Sequence, residues 1–220
     1  LTAKFRRQDY IFGYGGPHTG LPNFLITYHN VDQPIDVEAY IARLGELARA
    51  IDQLTERAKL VAADSVRAPK FGYERTISEA QNIITGAPFD RGPDSPLWTD
   101  LRAKNLQLLS AGRMQAGDDL KRENEARTVL VEKVKPAYER LIAWLKADAP
   151  TAPSGKVGAL TLPEGVAWYN AALKLNTTTD MTAEEIHELG LSEVKRIHAE
   201  MEKIREQAGF KGDLKAFFEF

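Results

Sequence analysis

Asp36-Val37-Glu38-Ala39-Tyr40-Ile41-Ala42-Arg43-Leu44-Gly45-Glu46-Leu47-Ala48-Arg49-Ala50-Ile51 is the stretch on which the fold turns. Tyr40, Ile41, Leu44, Leu47, Ile51, Leu54, Ala58 and Val61 recur at steps of three and four, the period of one helical face. Arg43, Glu46, Arg49, Asp52 and Glu56 take the opposite, wet side. Asp36 reads as the N-cap and Pro69 as the stop. An amphipathic helix of this length buries its stripe against other helices.

Working outward, the same period returns. Ile77, Ala80, Ile83 and Ile84 mark a helix over about 73–85, stopped by Gly86. A Gly/Pro loop over 86–96 leads to a helix over about 98–109. A longer helix over about 114–145 carries Leu120, Ala126, Leu130, Val134, Leu141 and Leu145, with a kink expected at Pro136. Thr182 and Glu185 form a capping box before Ile186, Leu189, Val194, Ile197, Met201 and Ile204, and Gly209 closes that helix. No alternating strand pattern exceeds a few residues. The fold class is all-α: long antiparallel helices in an irregular bundle, with an irregular, Gly/Pro-rich N-terminal lead-in over 1–35. The bundle spans 36–147. A linker-like loop over 148–163 carries three Pro and two Gly. A helical segment, 164–220, opens with Pro163 suited to its first turn.

Composition narrows the function. The 29 basic and 31 acidic residues give a net charge of -2 and no one-sided basic excess, which argues against a nucleic-acid partner. No window is long and apolar enough to span a membrane. Cysteine is absent, so disulfides, thiolate metal sites and cysteine nucleophiles are excluded. The first residue is Leu, and the last helix, capped by Asp213, carries Phe217, Phe218 and Phe220. The aromatic last helix leads to the expectation that 164–220 continues into a further C-terminal part, and that the three Phe would otherwise support self-association.

Candidate chemistry is sparse. His187-Glu188 starts like a His-Glu-x-x-His zinc motif, but the second ligand position holds Leu191. His198 lies about 16 Å further along the axis, too far to share one metal. His18 and His29 sit in the lead-in without acidic residues at ligand spacing. Gly13, Gly15 and Gly16 lack the Lys-Ser/Thr ending of a phosphate loop. Asp118-Asp119 and Glu184-Glu185 are adjacent helical pairs pointing about 100° apart, so neither converges on one site. No catalytic or metal residue is assigned.

The 162–220 segment resembles a bacterial family known as domain of unknown function 885. The resemblance rests on Leu162-Pro163-Glu164-Gly165 with Trp168-Tyr169, on Thr177-Thr178-Thr179, and on Met181 to Leu191 with Glu193-Val194. Arg196 to Met201 and Gly209-Phe210 complete it. Tyr40 to Leu44, Ala68-Pro69-Lys70, and Pro136-Ala137-Tyr138 with Leu141 and Leu145 extend it upstream. The resemblance implies a longer, mostly helical, exported protein or lipoprotein of the bacterial periplasm or cell envelope, similar to zinc metallopeptidases. It implies a zinc site of the type His-Glu-x-x-x-Gly-His-His beyond this region, so the chain itself would bind no cofactor. Its partners would be the C-terminal half of the same protein and a peptide substrate. The chain would then be the N-terminal helical portion of such a protein, walling a substrate cleft through Trp168, Tyr169 and the 158–162 segment. The alternative is a non-catalytic helical interaction or scaffold domain.

Overall fold

The computed structural model describes residues 15–220 apart from Lys156. Gly13 and the rest of residues 1–14 lie outside the described residues. The chain divides into two compact units, through Pro163 and from Glu164 onward. No strand occurs among the described residues.

The first unit is built on α2 (Pro34–Ala63), which packs along α6 (Lys135–Asp148) and against α5 (Asp118–Val129), α4 (Pro96–Ser110) and α1 (Pro17–Tyr28). α3 (Lys70–Ile83) closes the far side of α6. The core is the stripe read from the sequence: Tyr40, Leu44, Leu47, Ile51 and Ala58 of α2 meet Tyr138, Leu141 and Leu145 of α6. Burial of such aliphatic and aromatic surface is the main source of stability here.

Several local readings change. Asp36 is not the N-cap of α2. Gln33 takes that place, and Asp36 works one turn in, where its carboxylate accepts the backbone N–H groups of Asp32 and Gln33 at 3.0 and 2.8 Å. The helix ends before Pro69, because Ser65 adopts a left-handed φ of 63°. The lead-in is not irregular throughout: Pro17 opens α1, and Pro22 lies within it. The long 114–145 helix begins only at Asp118, after Gly117 at φ 95°. It then widens into a π turn, Leu130–Val134, just before Pro136. Pro136 has no N–H to return to the preceding turn, and it stands in the first turn of α6, where that loss is tolerated. Pro163 does not enter a helix either. Glu164, at φ 55°, precedes α7 (Gly165–Thr177).

The second unit comprises α7, α8 (Ala183–Gln207) and α9 (Leu214–Glu219). The capping box opens α8: Glu185 N–H donates to Thr182 Oγ1 at 3.2 Å, and Thr182 N–H returns to Glu185 Oε2 at 2.8 Å. Asp213 caps α9 through Ala216 N–H at 2.8 Å. Phe210 meets Phe217 and Phe220 with ring centroids 5.4 and 5.3 Å apart. Phe218 and Phe220 are exposed.

Candidate functional site

The sequence reading left His18 and His29 in the lead-in, with no ligand set around them. Both are buried. His18 projects from α1 and donates through Nε2 to Glu79 Oε2 of α3 at 2.8 Å, while Tyr138 OH donates to its backbone carbonyl at 2.6 Å. Glu79 also accepts from Arg75. Burial holds the His18 imidazole below its ordinary pKa, against the pull of Glu79. His29 donates through Nε2 to the Asp36 carbonyl at 2.9 Å and accepts from Arg43 at its other ring nitrogen. Both partners lie far along the chain or on its backbone, so no spacing rule announces them. Their role is to tie α1 and its following turn to α2, α3 and α6. Lys104 does likewise, donating to the carbonyls of Leu25 and Ile26 at the end of α1 and to Asp100 at 2.6 Å. It lies 4.9 Å above the Tyr40 ring.

His187 and His198 are exposed on α8, as helix-surface residues. Among the described residues no group of three or more His, Asp or Glu side chains is placed to hold a metal ion.

The concavity of most interest forms where the α2–α3 connection meets the segment after α6. Lys70 N–H donates to the Pro153 carbonyl at 2.9 Å, joining the two segments. Arg67 grips Asp148, at the end of α6, by a two-pronged contact of 2.9 and 3.0 Å, and Tyr73 OH adds a third donor at 2.7 Å. Burial alone would raise the Asp148 carboxyl, but these donors hold it below the usual carboxylate range. With its charge committed to Asp148, Arg67 contributes mainly its stem to the pocket beside it. Ala68, Pro69, Pro153, Val157, Ala159 and Leu162 supply apolar walls, with Gly158 and Thr161 completing a cavity of about 210 Å³. A space of that size and character accepts one apolar side chain. Among the described residues that line it there is no carboxylate and no imidazole.

Of the 158–162 segment, Gly158, Ala159, Thr161 and Leu162 line this pocket, while Leu160 is exposed. Trp168 and Tyr169 stand on α7 in the other unit: Trp168 is half-buried, and Tyr169 is 38% exposed. A second concavity, between α4 and α5, is charged. Arg102 there pairs with Asp94 at 2.7 Å and lies 3.6 Å from Glu123. Sequence reasoning found neither this cluster nor the Arg67–Asp148–Tyr73 contact.

A sequence profile for the family described as "Bacterial protein of unknown function (DUF885)" matches residues 6–220. The chain belongs to the DUF885 family. No curated protein matches it. The DUF885 chain is similar to a crystal structure described as "the putative lipoprotein from Colwellia psychrerythraea", at 21% identity and a TM-score of 0.76. The match covers 91% of this chain and 33% of the other, so the DUF885 chain spans about a third of the length of that structure. At that identity the likeness establishes the fold.

Proposed function

We propose that this DUF885 chain is the N-terminal helical portion of an exported zinc-metallopeptidase-like protein. In that protein it walls part of a peptide-binding cleft and leaves the metal to the C-terminal part. The observation that carries the reading is the apolar pocket. Ala68-Pro69 and Leu162 belong to two segments that resemble the family, lie far apart in sequence, and line one cavity. On this reading the pocket takes an apolar side chain of the peptide, and Trp168 and Tyr169 add aromatic binding surface. The zinc would polarise the scissile carbonyl and activate water. The description of the structural neighbour as a lipoprotein supports an envelope location.

The test uses the parent protein. Bound zinc by metal analysis and hydrolysis of peptides with bulky apolar residues are expected. Filling the pocket with Ala68→Trp should raise KM roughly tenfold at unchanged kcat, the mark of lost binding energy alone. A parent with neither zinc nor hydrolysis refutes this reading. It would favour a non-catalytic helical interaction domain, the alternative to which the exposed apolar face of α8 also points.

A further inference from the structure

α8 runs for 25 residues, and no residue in it is buried. It is nonetheless a complete helix. The Thr182–Glu185 box closes its start, and at its end Gly209 turns left-handed at φ 70° while Arg205 donates to the carbonyls of Phe210 and Gly212 at 3.1 and 2.7 Å. Along one side, Val194, Ile197, Met201, Ile204 and Ala208 alternate at three and four residues. That spacing fits another helix laid lengthwise, not a loop crossing it. Val194 and Ile204 remain 52% and 56% exposed. α9 packs against α8 yet leaves this stripe open. A continuous apolar strip of this length marks a surface made for a partner.

We infer that residues 164–220 are the opening segment of a second lobe, and that helical chain following Phe220 in the parent docks along the Val194–Ala208 stripe to complete its core. The inference rests on the reading above that this chain is the first part of a longer protein. Three observations select this occupant. The compact units part between Pro163 and Glu164, so the stripe belongs to a unit with no core of its own. Two-thirds of the similar crystal structure lies outside the match, which provides chain for such a lobe. The charge on α8 disfavours the other candidates. It carries seven acidic against four basic residues, whereas a membrane-surface helix needs a basic polar face. The same excess would repel a second α8 laid alongside. The flanking charges are in part satisfied within the helix: Arg196 reaches Glu193 and Glu200, each at 2.8 Å. What the stripe asks of its partner is apolar surface.

Hydrogen exchange over 183–207, compared between the parent and this chain, tests the inference. Exchange is expected to be at least about 100-fold slower in the parent, and Ile197→Asp should abolish that difference while Lys195→Asp, on another face, preserves it. If Ile197→Asp prevents the parent from folding, the wild-type comparison alone decides. Equal exchange in the two proteins overturns the inference. So does protection in this chain that grows with its concentration, which would mean a second copy. Zinc analysis of the same parent sample keeps the two proposals apart, since protection without metal sinks the peptidase reading and leaves this one standing.

Discussion

Asp148 shows how much of the first unit depends on single polar contacts. It ends α6 and receives Arg67, Tyr73 and the Thr151 hydroxyl, which ties the α2–α3 connection to the turn after α6. Asp148→Ala leaves a guanidinium and a phenol without their acceptor, at an expected cost of about 2–3 kcal/mol. For a protein of this size that lowers Tm by roughly 5–10 °C in thermal denaturation. A shift of under about 2 °C would show that the contact contributes little. Since the Asp148 pKa is depressed by folding, its contribution is present above the ordinary value of 3.8 and lost as pH falls through the folded value.

His18 acts higher on the pH scale. Burial lowers its folded pKa below the ordinary 6.5, despite Glu79. Between the folded value and 6.5 the unfolded chain binds more protons than the native one, so stability declines as pH drops below 6.5. Thermal unfolding followed from neutral to mildly acidic pH is expected to show this decline in the wild type and a flatter profile in His18→Gln. The same slope in both proteins would remove His18 as its cause. None of this was legible in the sequence. Glu79 and His18 are brought together by the packing of α1 on α3, which neither local spacing nor propensity encodes.

Helices, by contrast, were largely legible, because period and caps are local. The Thr182–Glu185 box and the Asp213 cap form as read. Thr182→Ala should cost about 1 kcal/mol and fray the start of α8, visible as faster exchange of its first-turn amides. Gly86 was read as a helix stop, but its greater constraint comes from the loop that follows. At φ 90°, a Cβ there would sit 2.2 Å from the Pro93 carbonyl oxygen. Gly86→Ala is expected to destabilise by about 2–4 kcal/mol in denaturant unfolding, through strain and overpacking together. A loss below about 0.5 kcal/mol would mean that the loop relaxes freely. Boundaries were less legible than existence. Ser65 ends α2 by backbone conformation, and the π turn at Leu130–Val134 just ahead of Pro136 is a local widening that a helical period does not carry.

At the scale of the whole molecule, the sequence showed which helices are amphipathic but not which ones find partners within the chain. α2 and α8 look alike by that test. The α2 stripe is buried, whereas Val194, Ile197 and Ile204 of α8 stay exposed. The 158–162 segment came to notice only through the family resemblance, and Ala68 and Pro69 join it only through the chain pairing at Lys70 and Pro153. If the α8 stripe is the unfinished core of a second lobe, Ile197 is exposed in this chain and covered in the parent. Thiol reactivity at Ile197→Cys measures it most directly, because this chain has no cysteine of its own to compete. The thiol is expected to react as an exposed group in this chain and roughly 100-fold more slowly in the parent. Equal rates in the two proteins would contradict it.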